Sequence, residues 1–108
     1  MIDVDLVRRR LEGSQFKRVY IVKKGFDCSI MLCKTEDLDV LVCLYEGAHA
    51  KYARIVPATM LDPSHWDCVS VNYVPNSLLA FASSDEELAQ RILEKIPRLL
   101  KVLAHGKR

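Results

Sequence analysis

Four glycines, four prolines and one tryptophan in 108 residues leave this chain poor in the residues that build special loops. The glycines stand apart at Gly13, Gly25, Gly47 and Gly106, so there is no glycine-rich loop to wrap a phosphate or a dinucleotide. No apolar run approaches the roughly 20 residues that span a bilayer. The opening Met1-Ile2-Asp3-Val4-Asp5 is acidic and lacks the basic, apolar pattern of a secretory leader, so a cytoplasmic protein is the expectation. Aromatics are 7% of the chain and are not interleaved with the basic residues, which leaves little for stacking nucleobases. His65 and Cys68 form the one close pair of metal-ligand residue types, whereas zinc needs four converging ligands. Asp62, Ser64 and His65 have the residue types of a catalytic triad, but such close neighbours are better read as turn formers. No residue is assigned a catalytic, cofactor-binding or metal-ligating role, and no cofactor is expected.

Four cysteines are present. Cys33 follows Met31-Leu32 and Cys43 lies between Val42 and Leu44, surroundings in which a thiol acts as a small buried hydrophobe. Without a leader, reduced thiols throughout are the expectation.

Half of the residues are hydrophobic and 28% are charged, the composition of an ordinary globular protein. A chain of this length is one domain, residues 1–108, able to bury a core with little to spare. The net charge of +2 conceals a division. Residues 1–24 hold seven Lys/Arg against three acids, residues 25–90 three against ten, and residues 91–108 six against one. Basic ends flank an acidic middle.

The stretch Asp39-Val-Leu-Val-Cys-Leu-Tyr45 is apolar on both faces after its first residue, so it belongs at the centre of a sheet covered on both sides. The rest of the chain is read around it. Residues 3–12 predict a helix, with Asp3 as N-cap, Val4, Val7 and Leu11 on one face, Arg8, Arg9 and Arg10 in the last turn and Gly13 at the end. Phe16 to Lys23 and Cys28 to Lys34 predict two strands joined by a tight turn in which Gly25 takes a positive φ. Residues 48–56 fit a helical face, with Ala48, Tyr52, Ile55 and Val56 aligned, and equally an extended segment over Tyr52 to Val56; a short helix stopped by Pro57 is the expectation. Trp66 to Val74 alternates as a strand, with Val69, Val71 and Tyr73 inward, and pairs through a turn at Pro75-Asn76 with a last strand at Leu78 to Ala82. Ser84 and Glu87 form a capping box before a long helix with Leu88, Ile92, Ile96, Leu99 and Leu103 on one stripe, and Pro97 predicts a kink or restart.

The result is an α+β fold: a single antiparallel sheet of about five strands, with N-terminal and long C-terminal helices on one side, in the order α-β-β-β-(α)-β-β-α. That order is similar to that of the dimeric type III secretion chaperones, which bind an effector segment in extended form. The likeness is one of element order, covers no residue motif and carries no function with it.

The functional lead is charge. Arg91, Lys95, Arg98 and Lys101 draw a basic stripe along the last helix, which Arg8, Arg9, Arg10, Lys17 and Arg18 extend if both helices share one side of the sheet. The expected function is a small, non-catalytic protein-binding module, an adaptor, chaperone-like protein or inhibitor. It acts through its C-terminal helix or a sheet edge, its partner is another protein of acidic character, and it forms a homodimer. The alternative is a nucleic-acid-binding protein whose basic helices contact phosphates, although the pI of about 8.4 is below that of a dedicated binder. Third is a small enzyme or metal protein built on Cys68 and His65.

Overall fold

The computed structural model describes residues 2–13, 16–75 and 77–106, with residues 102–106 described by their backbone alone. The elements are α1 (Val4–Leu11), β1 (Arg18–Lys24), β2 (Cys28–Lys34), β3 (Asp39–Glu46), β4 (Lys51–Pro57), α2 (Cys68–Asn72), β5 (Leu78–Ala82) and α3 (Asp85–Gly106). The five strands form one antiparallel sheet in the order β1-β2-β3-β4-β5, a continuous meander with the apolar β3 at its centre. The fold is α+β, as the hydrophobic pattern implies.

β3 is covered on both faces, which is why it has no polar side. Val40, Val42 and Leu44 point toward α1 and α3, where they meet Val7, Leu11, Leu88, Ile92 and Ile96. Leu41, Cys43 and Tyr45 point to the opposite face, where they meet Ile30, Val56, Val71 and Val74. The helices therefore do not account for all of the cover. The segment between β4 and β5 crosses the second face as two single 3₁₀ turns, Ala58–Met60 and Pro63–His65, followed by α2.

Three expectations are corrected here. The stretch 48–56 is not a helix: β4 occupies Lys51–Pro57 and pairs along its length with β3. The helical spacing of Tyr52, Ile55 and Val56 is real, but a central apolar strand with an open edge offers a full ladder of hydrogen bonds, and β-branched side chains pack well there. Trp66 to Val74 is not a strand. Asp67 caps α2 by accepting from the backbone N–H of Ser70 at 2.8 Å, and Val71 and Val74 are buried while Val69 and Tyr73 are exposed. Its alternation is too short to separate strand from helix, and the Asp67/Ser70 spacing is the cap signal. β5 accordingly pairs with β4 and not with residues 66–74, and the turn expected at Pro75-Asn76 falls partly outside the described residues. The observed order, α-β-β-β-β-α-β-α, departs from the chaperone-like order.

The helices are set by their caps. Asp3 accepts from the N–H of Leu6 at 3.1 Å and starts α1. Ser84 accepts from the N–H of Glu87 at 3.1 Å, while Glu87 reaches back to the N–H of Ser83 at 3.0 Å. α3 then runs through Pro97 without a restart. Asp85 fastens the layers together, accepting from the Lys51 ammonium at 2.9 Å and from the N–H of Asp3 at 3.2 Å. This bond raises the Lys51 pKa above its ordinary value. Gly13 has a φ of 89°, which a side chain would oppose. Gly25 is not at positive φ. A Cβ there would meet the Cys28 carbonyl oxygen at 2.4 Å, so glycine is required by close approach.

Candidate protein-binding surface

Asp85 places the start of α1 beside the start of α3, and the two helices pack on each other. At their far ends Gly13, which follows α1, and Leu100 of α3 line one open cavity of about 520 Å³ together with Phe16, Lys17 and the β2–β3 turn, Thr35 to Asp37. The helices therefore run in the same direction, with acidic first turns at one end and, toward the other, the basic last turn of α1 and Arg98 and Lys101 of α3. Charge of these signs opposes each helix dipole, which is the local reason for the pattern.

The condition set by the sequence is met: both helices lie on one side of the sheet. Arg8, Arg9 and Arg10 in the last turn of α1, Lys17 and Arg18 at the start of β1, and Arg98 and Lys101 of α3 collect at one end. Arg91 is not part of the collection. It lies roughly 15 Å up the helix from Lys101 and pairs with Glu94 at 3.4 Å. Lys95 lies between, half-buried.

The end carries both signs. Arg8 pairs with Glu12 at 3.2 Å, Lys17 with Glu36 at 3.6 Å and Lys34 with Asp39 at 3.9 Å. All three pairs are solvated and contribute little to stability. Arg9, Arg10, Arg18, Arg98 and Lys101 form no ion pair among the described residues, and all five are exposed. The acids Glu36, Asp37 and Asp39 belong to the acidic middle of the chain, as do Asp62 and Asp67. The β2–β3 turn brings the first three among the bases, and Asp62 and Asp67 lie apart, capping turns on the second face. Only the turn residues Thr35 to Asp37, read as the link between two strands, could have revealed this.

The cysteines correct the expectation of four free thiols. Cys28 of β2 and Cys68 of α2 form a disulfide across 40 residues of chain, with their Cα atoms 6.4 Å apart. It clamps the crossing segment to the second face, beside a hydrogen bond from the Tyr45 hydroxyl to the Cys68 carbonyl at 3.2 Å. Cys68 is thus not a thiolate ligand or nucleophile beside His65. Cys33 and Cys43 are free and buried, as their neighbours imply. Burial pushes the Cys33 thiol up and the Cys43 thiol to about 12, so neither ionises near neutrality. Asp62 accepts from the backbone N–H and hydroxyl of Ser64, the turn role read from its neighbours.

Two features were not read from the sequence. Tyr45, Tyr52 and Phe81 make an aromatic row across β3, β4 and β5, with ring centroids 4.7 and 5.9 Å apart, ending on a Phe81 that is 58% exposed. Arg54 of β4 is half-buried and donates to Ser77 Oγ at 2.8 Å, while its buried Nε has no hydrogen-bond partner. No helix among the described residues is long and apolar enough to cross a membrane. No known protein family, curated protein or solved structure matches the chain.

Proposed function

We propose that the protein is a non-catalytic protein-binding module, an adaptor, chaperone-like protein or inhibitor, which holds an acidic segment of another protein at the basic end of its helical layer. The observation that carries this reading is that Arg9 and Arg10 of α1 and, about 90 residues later in the chain, Arg98 and Lys101 of α3 lie toward the same end of one helical layer, exposed and without ion pairs among the described residues. Opposed charge steers association and sets orientation.

Those same cations support a second reading, contact with nucleic-acid phosphates. The interleaved Glu36, Asp37 and Asp39 favour protein, because they would repel a polyanion and can instead pair with bases on a partner of mixed charge. Of the exposed aromatics, Tyr20 stands two residues from Arg18 near the basic end, while Phe26 and Phe81 lie toward the opposite end of the sheet, which leaves few rings to stack on bases there. A cytoplasmic location is compatible with this fold only if the Cys28–Cys68 bond is transient or regulatory there, since cytosolic thiols are kept reduced.

The test is capture of partners on the tagged protein with and without nuclease, beside a variant carrying Arg9→Glu, Arg10→Glu, Arg98→Glu and Lys101→Glu. A defined protein that survives nuclease and is lost by the variant is the expected result. Bound material that disappears with nuclease would transfer the surface to nucleic acid, and equal capture by the variant would remove the basic end from either role.

A further inference from the structure

The two edges of the sheet are treated differently. The β1 edge carries Arg18, Lys23 and Lys24 and is broken by a bulge between Ile21 and Lys23, so that Val22 has no opposite residue on β2. Charge and bulges are the usual devices that stop an edge strand from pairing. The β5 edge has neither. It reads Leu78-Leu79-Ala80-Phe81-Ala82, without a charge, a proline or a register shift, and among the described residues it pairs with β4 alone. One row of its backbone donors and acceptors faces outward.

We infer that this edge is a dimer interface, in which β5 pairs antiparallel with β5 of a second copy about a two-fold axis at Ala80, joining two five-stranded sheets into one. Three observations select a second copy as the occupant. The first is the match of side chains. Ala80 and Ala82 point to the helical layer, so Leu79 and Phe81 share the second face. Pairing about Ala80 sets Leu79 against Phe81 of the other copy, twice, and covers the exposed end of the aromatic row. Aromatic and aliphatic residues facing across a ladder are favourable pairs.

The second is the room left for the helices. α3 packs over β4 and β5. The axis lies half a strand spacing outside β5, so each α3 lies about one spacing from it. The two helices then stand about 10 Å apart, at strand spacings of about 4.8 Å, which is the distance at which helices pack.

The third is charge. Leu93 and Leu100 of α3 are partly buried, and Leu100 lines the cavity with Gly13 and Phe16, so this flank faces α1. The opposite flank, which overhangs the β5 edge, carries Glu87, Arg91, Lys95 and Arg98 at spacings of four, four and three. It is acidic at its start and basic beyond, and Arg91 is already paired with Glu94. Antiparallel copies bring Glu87 of one helix toward Arg91 and Lys95 of the other, on both sides of the axis. The basic stripe is thereby divided: Arg91 and Lys95 belong to this interface, while Arg98 and Lys101 remain with the free basic end. A foreign strand could use the backbone edge, but it would not meet this reversal of charge.

Sedimentation velocity of the full, disulfide-bonded chain at micromolar concentration tests the inference. The expected mass is twice the 12.3 kDa of one chain. Phe81→Lys, a charge placed at an exposed edge position, is expected to restore the monomer with an unchanged circular dichroism spectrum. If that variant fails to fold, Ala80→Cys provides the second reading. Residues facing each other across the axis have Cα atoms about 4.5–5.5 Å apart, within reach of a disulfide, so mild oxidation should give a covalent dimer. A monomer at every concentration, a dimer indifferent to Phe81→Lys in folded protein, or no cross-link through Cys at position 80 would each overturn it. A monomer that captures a foreign protein in a Phe81-dependent manner would do so as well. Charge reversal at Arg9 and Arg10 should leave the mass unchanged, which separates this interface from the proposed partner surface.

Discussion

The two pairs of cysteines have opposite fates because of where the fold puts their sulfur atoms. Cys33 is buried beneath the helices and Cys43 in the core of the second face, while Cys28 and Cys68 meet where α2 lies against β2. Thiol titration of the native protein should find no fast-reacting group, the unfolded protein should show two thiols, and unfolding with reductant should show four. Finding four without reductant would remove the disulfide. The apolar neighbours of Cys33 and Cys43 were sufficient to read their burial. The Cys28–Cys68 pair was not legible, because the sequence places Cys68 on an apparent strand and says nothing of its folding back across 40 residues. At Ile92 the stripe of α3 and the structure agree: the side chain is fully buried among both helices and the sheet. Ile92→Ala should cost about 2–5 kcal/mol in a urea unfolding series, through lost burial and the cavity left behind. A change below about half a kcal/mol would place that face outside the core.

Among the elements, those that form from local rules were the ones legible in the sequence. The Asp3 cap and the Ser84/Glu87 box act within a few residues, and both appear in the structure. Ser84→Ala should lower stability by about 1 kcal/mol, measured by the same unfolding series. β4 and α2 were misread because their conformation depends on what they pack against. α2 also provides a test by pH. Hydrogen bonding from the Ser70 N–H holds the Asp67 carboxyl below its ordinary 3.8, and the Ser64 N–H does the same for Asp62. A carboxyl lowered in the fold contributes stability above the unfolded value, and that contribution is lost as pH falls through the lowered one. The crossing segment should therefore hold from neutrality to about pH 4 and loosen below it. The single tryptophan, Trp66, reports this directly, since its indole donates to the Leu61 carbonyl at 3.1 Å within the same segment. Its fluorescence should be flat down to that pH and then change, and Asp67→Asn should reduce the change. A transition centred near pH 6 would implicate another group.

For the whole molecule, the sequence determined composition, the apolar centre at β3, the first and last helices and the separation of charge along the chain. Each follows from short-range rules: the period of the apolar residues, the capping side chains and the sign of charge at helix ends. Tertiary structure decided which residues meet. Parallel packing of α1 on α3 brought two distant basic segments toward one end of the helical layer, and the β2–β3 turn placed acids beside that end. The meander left β5 rather than β1 as the unguarded edge, and the chain between β4 and β5 became the cover of the second face instead of a strand. The physical reason is the same throughout. An open strand edge, an uncovered apolar face or an unpartnered sulfur is satisfied by whatever the compact chain brings to it, and that depends on contacts between residues far apart in sequence.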